Sequence, residues 1–496
     1  MLKLTTYNYS AIMNEKEQKV VGILEQPPRP VEGIKGIVID KIMAGNVEDA
    51  INLFENHTEQ VEEAIREYNT NTHSILERKD KVRKDKSEYR TWKLPRNWQQ
   101  YINEIELYFL LANGIKWEML NDDQESNEKL QNAFNLFKKL LKKLHYDSRT
   151  REFKRLAGAE TECAKLYAYY KDEGEAKLRI VILARSKGYR LRPLFNLYGD
   201  LKAFAVGYDV KDGEGNLLHR WDVYTSEMYY HCTQNEVGSE TPGWNVETEV
   251  NPFGKIPIIY ARQKKAWAGA EERIERDEWL DSKNADCNEY FADPMLKMSK
   301  SVKNGLMDPK QVGKVIQVGN KDDVFEYVTP PDASDLKDKE KSVLKESILN
   351  STFTPDLSYE NVKGLGALSG EAITKSNIIA YIKRLINMEI YDELFERDAS
   401  LIIEIMATAL YPGERKILRS MELNHNYQDP AIGQSDNSEE IGRWADIGMS
   451  DEAIVEANRN VTNKQLELKR LKRKRQEEAE AAAKKTETNT NTNTAE

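Results

Sequence analysis

The stretch ILNSTFTPDLSYENVKGLGALSGEAITKSNII, residues 348–379, decides the fold, because it joins a loop to the start of one very long helix. Thr354-Pro355-Asp356 predicts an extended turn, since a proline ring excludes the helical region for the residue before it. Gly364 and Gly366 leave the far end of the loop free to adopt several backbone states, and Lys363 is the loop's only cation. Ser369 is placed to cap a helix with Gly370 and Glu371 in its first turn, and apolar residues follow at Ile373, Ile378, Ile379, Ile382, Leu385, Ile386 and Ile390. The helix is predicted to run to Tyr411, where Pro412-Gly413 stops it. At about 1.5 Å per residue it approaches roughly 60 Å, beyond the usual globular helix. A spine of that length suits a large assembly better than a compact enzyme.

Composition points the same way. The 496 residues suffice for about two to four domains. With 31% of residues charged and a mean hydropathy of -0.71, the chain is polar for its size and suits long solvated helices. A net charge of -10 argues against a protein that grips nucleic acid over its whole surface, but not against one that lets nucleic acid pass. Cys163, Cys232 and Cys287 fit no zinc or redox spacing, so a reducing cytoplasm without disulfides is expected. Met1-Leu2-Lys3 leads into polar residues and no segment has bilayer length, so the expectation is a soluble chain with neither export signal nor membrane anchor.

Working outward from the long helix, residues 1–58 read as an arm, with the spacer Pro27-Pro28-Arg29-Pro30, an apolar stretch Ile34 to Ile42 and a short amphipathic segment Val47 to Phe54. Glu59 to Lys86 reads as a charge-laden helix ending in the basic run Arg78, Lys79, Lys81, Arg83, Lys84 and Lys86. Tyr101, Ile105, Tyr108, Phe109 and Ala112 share a helical face that Asn113-Gly114 ends, and Glu128 to Leu144 is a further amphipathic helix. The period then changes to two. Lys177 to Ala184, Ala203 to Val210, Leu217 to Tyr224 and Glu227 to Cys232 alternate, with a hairpin turn at Asp212-Gly213-Glu214-Gly215, and predict an antiparallel sheet. Helix resumes from Trp267 to about Phe291; residues 301–335 mix turn residues with short β-like runs, and 336–350 return to helix. Beyond Pro412, residues 413–442 are polar and irregular; Gly448 to Glu452 caps a short helix, a charged helix follows over 464–485, and the last residues are low-complexity.

No enzyme chemistry stands out. Gly364, Gly366 and Gly370 lack both the phosphate-loop spacing and a Lys-Ser/Thr pair, and Ser369 lacks the glycine that precedes a nucleophile elbow. The six histidines are scattered, and His231-Cys232 point to opposite faces of a predicted strand. Residues 271–293 carry nine acids against three bases. Such carboxylates suit a metal-dependent nuclease, a solvated face, or, if the helix lines a channel, a wall that repels phosphate; Glu275, Asp281 and Asp286 are the channel-lining candidates. Residues 464–485 hold nine bases and four acids, and the cluster Lys469, Arg470, Lys472, Arg473, Lys474, Arg475 suits packaged DNA, an acidic scaffold partner, or a solvated tail. No catalytic residue, metal site or cofactor is predicted.

The order of these features resembles the portal proteins of tailed bacteriophages, in particular the siphophage-type branch with a "t.PD...e.....SG.A" signature entering its longest helix. Here the signature reads Thr354-Pro355-Asp356, Glu360 and Ser369-Gly370-Glu371-Ala372. Tyr68, His73, Ile75, Leu76 and Arg78, followed by Asn97, Ile105, Tyr108 and Gly114, look like the family's amino-terminal wing, with Ile115 in place of its usual proline. Asn251-Pro252-Phe253-Gly254-Lys255-Ile256-Pro257-Ile258 matches the "N.fG.iP.i" exit from the wing sheet, and Gly448 to Glu467 resembles the carboxy-terminal pattern.

The resemblance implies a mostly helical α+β portal fold. Its parts are an arm over 1–58, a wing with an antiparallel sheet over 59–265, stem helices over 266–300 and 336–350, and a clip over 301–335. A tunnel loop over 351–368, a spine helix over 369–412, a crown over 413–485 and a disordered tail over 486–496 complete it. It further implies a homo-oligomeric ring of about 12 subunits at one capsid vertex, with double-stranded DNA in the channel and no membrane. The large terminase subunit, head-completion or adaptor proteins, the major capsid protein and a scaffold protein would be its partners. A scaffold or minor capsid protein and the nuclease are the alternatives.

Overall fold

The structure, a computed structural model, describes residues 33–82, 88–120, 127–172, 175–211, 213, 215–235, 243–292, 296–298, 325–327, 334–358, 377–428, 442–444, 447–457, 467–468 and 470–475. The chain divides into two compact units, one of Met1–Thr354 with Arg384–Gln428 and one of Pro355–Lys383 with Asp429–Glu496.

In the first unit the predicted period-two segments form strands. A five-stranded antiparallel sheet has the order β10-β9-β8-β7-β6, made of β6 (Arg190–Phe195), β7 (Leu201–Lys211), β8 (Leu217–Thr225), β9 (Met228–Gln234) and β10 (Trp244–Val250). A second sheet has the order β11-β4-β5, from β4 (Glu162–Asp172), β5 (Glu175–Leu183) and β11 (Ile258–Arg262). Alternation along the strands sends neighbours to opposite faces. Ala203 and Ala205 of β7 join a core with Val38, Ile42, Val47 and Phe54, whereas Phe204 and Val206 face Ala164, Ile258 and Tyr260 of the second sheet. The other face of that second sheet, through Cys163, Tyr167, Ile180, Ile182 and Ile259, meets the helices Trp98–Leu111, Asn127–Lys143, Tyr146–Glu160 and Ile378–Ile405. The result is four layers: helix, sheet, sheet, helices.

Several elements depart from the sequence expectation. Residues 34–54, read as part of an arm, form the helices Ile34–Met43 and Val47–Ile51 and cover the outer face of the five-stranded sheet. The helix expected over 59–86 stops at Tyr68 and gives way to 3-10 turns and a short pair of strands, β1 (Lys81–Val82) with β2 (Glu88–Tyr89). The irregular region after Pro412 contains the helix Arg415–Arg419 and β14 (Leu423–Tyr427), which pairs with β3 (Ile115–Met119). The long helix is described over Ile378–Ile405, about 42 Å at 1.5 Å per residue, and continues as a π turn over Met406–Leu410 ahead of Pro412. Its predicted cap, Ser369, Gly370 and Glu371, lies outside the described residues, as do Lys363, Gly364, Gly366, the 486–496 tail and most of 301–335.

The "N.fG.iP.i" exit has a physical basis. Asn251 is 6% exposed; its Oδ1 accepts from the Tyr229 hydroxyl at 2.8 Å and the Phe253 N–H at 2.9 Å, while Nδ2 donates to the Thr225 and Lys255 carbonyls. All the capacity of one amide is used to carry the chain from β10 to β11, and Gly254 takes the left-handed turn at φ +63°.

In the second unit, the Ser450 hydroxyl accepts from the Ala453 N–H at 3.2 Å and caps the helix Asp451–Ala457, as its sequence predicts.

Candidate functional site

Helices Glu271–Ala292 and Ser334–Ser351 pack together and run antiparallel: Ile274 shares a buried cluster with Ile348, while Asp281 bonds Lys341 further along the first helix and earlier on the second. Arg276 donates from Nε and Nη2 to a single Glu340 oxygen at 2.9 and 2.7 Å. Between these helices the chain goes out through β12 (Leu296–Met298) and returns through β13 (Phe325–Tyr327), which pair antiparallel and form a neck. The pairing sets Met298 opposite Phe325.

Asp277, Glu278, Asp281 and Asp286 of the 271–292 helix are turned inward. The extended segment Thr91 to Arg96 lies along it, and the backbone N–H groups of Trp92, Leu94 and Arg96 donate to Asp286, Ser282 and Glu278 at 2.8, 2.9 and 2.8 Å. The register is geometric. Two residues of extended chain advance about 6.6 Å and four residues of helix about 6 Å, so every second N–H meets every fourth side chain. Each contact satisfies a backbone donor that has no strand beside it.

Side chains complete the clasp. Arg78 reaches Asp286 at 2.5 Å, Arg96 reaches Asp281 at 2.5 Å, and the indoles of Trp98 and Trp92 donate to Asp277 and Glu289 at 2.8 and 2.6 Å. Burial raises the Asp277 carboxyl above its ordinary value, although the Trp98 hydrogen bond and Arg96 oppose the shift.

Of the channel-lining candidates, the Asp286 side chain is 3% exposed and the Asp281 side chain 10%, and the exposed Glu275 accepts from the Ser74 hydroxyl at 3.2 Å. Asp277, Glu278, Asp281 and Asp286 are engaged by protein donors. Among the described residues no three side chains of His, Cys, Asp or Glu gather as a metal site.

The end of the second helix is also distinctive. The Phe353 N–H bonds the Asn350 carbonyl at 3.3 Å and the Thr354 N–H bonds the Leu349 carbonyl at 2.9 Å, a Schellman closure. The left-handed position, usually glycine, is Phe353 at φ +53°, and its ring is 41% exposed. Pro355 and Asp356 follow without regular structure, and Asp356 accepts from the Ser358 N–H at 3.0 Å, forming an Asx turn.

Two exposed features remain. On the 378–405 helix Ile378, Ile382, Leu385 and Ile386 are 59%, 43%, 61% and 45% exposed and follow the spacing of a single face. Of the basic candidates, Lys472 and Arg475 pair with Glu452 and Asp451 at the start of the 451–457 helix, Arg470 pairs with Glu467, and Lys469 lies outside the described residues.

Acids committed to holding backbone, an out-and-back helix pair joined by a narrow neck, and apolar helix faces open to solvent define a structural protein built for assembly. The chain belongs to a family of phage portal proteins: the family model described as "Phage portal protein, SPP1 Gp6-like" matches residues 50–481. The α+β architecture described above is the fold of that family in this chain. No curated protein matches it. Among solved structures, a chain from the virion of a native gene transfer agent particle aligns over 72% of this chain and 86% of that one, with 9% identity and a TM-score of 0.33, too slight a likeness to bear on function.

Proposed function

We propose that this chain assembles into a closed ring of about 12 subunits at one vertex of a phage capsid, through which double-stranded DNA is packaged and later ejected. The family match over residues 50–481 carries the reading. In it, the 271–292 and 334–351 helices are the stem, the excursion beyond the β12–β13 neck is the clip, and the sandwich with its covering helices is the wing. Pro355 and Asp356 open the tunnel loop, the long helix is the spine, and residues 413–485 form the crown. The large terminase subunit and head-completion or adaptor proteins dock on the clip, and the major capsid protein and scaffold contact the wing and crown. The ring is built in the host bacterial cytoplasm and carried into the virion, and the protein catalyses no covalent step.

The exposed stripe Ile378, Ile382, Leu385 and Ile386 supports the assembly, since contiguous apolar surface on a soluble chain marks a contact. The clasp gives the acids of the stem a new place in this reading: they hold the stem to the wing rather than face DNA. Electron microscopy of the purified protein tests the proposal. Rings with a central hole are expected; compact monomers or irregular dimers at all concentrations would remove it.

A further inference from the structure

The two edges of the five-stranded sheet are finished differently. At β6 the edge is closed: Pro193 has no N–H to offer, and the Glu55 N–H bonds its carbonyl at 3.0 Å. At the other edge all seven residues of β10 pair with β9 in one continuous register, and among the described residues no strand lies on the far side. That open edge is about 23 Å long.

The ends of the ladder fix which way its backbone groups point. The Asn235 N–H bonds the Gly243 carbonyl and the Asn251 N–H bonds the Glu227 carbonyl, both at 2.9 Å. Bonded and non-bonded pairs alternate along an antiparallel ladder, so β10 commits the N–H and C=O groups of Asn245, Glu247 and Glu249 to β9. Those of Trp244, Val246, Thr248 and Val250 turn to the open side, where among the described residues no protein group meets them. Such a row of donors and acceptors is a template for one more strand.

The side chains decide which strand fits. Trp244 and Val246 pack against the core under the 34–43 and 47–51 helices, and Thr248 and Val250 share their side by alternation, with Val250 68% exposed. Glu247 and Glu249 stand on the opposite face, both exposed. Antiparallel pairing of two β10 strands over their full length sets Glu247 against its own copy, and like charges directly opposite destabilise a ladder. The acids thus act against a second copy and favour a cationic strand.

We propose that β10 is the docking edge for an extended segment of another protein, with lysine or arginine at alternate positions and β-branched or aliphatic residues between them. The backbone groups of Trp244, Val246, Thr248 and Val250 hold the segment, and Glu247 and Glu249 select its sequence by pairing with its cations. Its apolar residues extend the side that carries Val246, Thr248 and Val250. The inference stands independently of the ring.

Fluorescence anisotropy of the full chain with two labelled, end-blocked peptides of about seven residues tests it. One peptide alternates lysine with valine, and the other has glutamate in place of lysine. The lysine peptide is expected to bind more tightly, and Glu247→Lys/Glu249→Lys, changed only at exposed positions, should reverse the preference by up to about fivefold per charge pair. Thr248→Pro removes an outward N–H and no bond to β9, and should weaken the lysine peptide about two- to tenfold; Thr248→Val, which keeps the N–H, should not. Hydrogen exchange reads the mode of binding: the lysine peptide should protect the amides of Val246, Thr248 and Val250. Absence of binding, a preference unchanged by charge reversal, or binding that leaves these amides unprotected overturns the proposal. Protection that rises with protein concentration in the absence of peptide would make the occupant a second copy, and overturns it as well.

Discussion

Lys165 and Asp398, 233 residues apart in sequence, form an ion pair in which neither side chain has any exposed surface. Asp398 also accepts from the hydroxyls of Tyr146 and Tyr167 at 2.8 and 2.6 Å, so three elements meet on one carboxylate: β4 through Lys165 and Tyr167, the 146–160 helix, and the long helix. The Lys165 ammonium lies about 5.0 Å from the ring centres of Tyr146 and Phe153. A buried pair is weak evidence for net stability, but it specifies which turn of the long helix meets the sheet.

Removing one partner therefore strands a charge. Asp398→Ala should destabilise the protein by about 3–5 kcal/mol, whereas the double change Lys165→Met/Asp398→Leu should recover most of that loss. Urea unfolding of the three proteins measures it. A double variant no more stable than Asp398→Ala would show that the pair contributes more than its own desolvation.

Much of the sandwich was legible because its strands alternate. β7 and β8 are found within about two residues of their expected ends, and Cys232 is buried while His231 is half-buried, as opposite faces require. The first strand of the second sheet, β4, was not legible. It is buried on both faces and carries Lys165 inward, so it shows neither alternation nor a clean apolar run. The helix 146–160 hides in the same way, with Lys154 fully buried against Glu106. In the candidate site, composition gave the acids of residues 271–293 but not their direction. A signal was present: Asp277, Glu278 and Asp281 keep the helical phase of the buried Ile274, whereas a solvated acidic face would be out of phase with it. Their partners, backbone N–H groups of residues 92–96, leave no trace in side-chain pattern.

The clasp predicts that its acids are structural. Ser282→Ala removes the acceptor for the half-buried Leu94 N–H and should cost about 0.5–1.5 kcal/mol. Asp286→Lys sets a cation against Arg78 and should cost more, on the order of 3–5 kcal/mol. Thermal unfolding of both variants checks the order. Wild-type stability for Asp286→Lys, combined with tighter DNA association, would return this residue to a channel wall.

A pH dependence arises in the five-stranded sheet. Asp222 on β8 accepts from His231 Nδ1 at 2.7 Å and from the Tyr208 hydroxyl at 2.6 Å. The hydrogen bond to Asp222 raises the His231 pKa, against the effect of burial. Burial raises Asp222, but the bonds from His231 and Tyr208 outweigh it and leave its pKa lowered. A raised histidine contributes stability fully below its unfolded value near 6.5 and loses it as pH rises through the folded value; a lowered aspartate contributes above its unfolded value near 4 and loses it on acidification. The pair is thus strongest between about pH 4 and pH 6.5. His231→Gln should flatten the fall in melting temperature on the alkaline side of neutral, and an unaltered slope there would assign that fall to other groups.

The last prediction concerns the stripe on the long helix. Ile382, Leu385 and Ile386 are each more than two-fifths exposed, so a charged replacement leaves no cavity and strands no buried partner. Folded stability of Ile382→Glu/Leu385→Glu should accordingly stay within about 0.5 kcal/mol of the original. Assembly is different. Burying a large aliphatic side chain contributes about 1.5–3 kcal/mol, and an ion pressed into the same contact adds desolvation, so two glutamates per subunit remove several kcal/mol at every repeat of a contact through this face. In a ring the loss recurs at each interface, and the product expected by native mass spectrometry and sedimentation is a folded monomer. Oligomers of undiminished size and resistance to dilution would show that subunits meet through another surface, and the stripe would then be a site for a different partner.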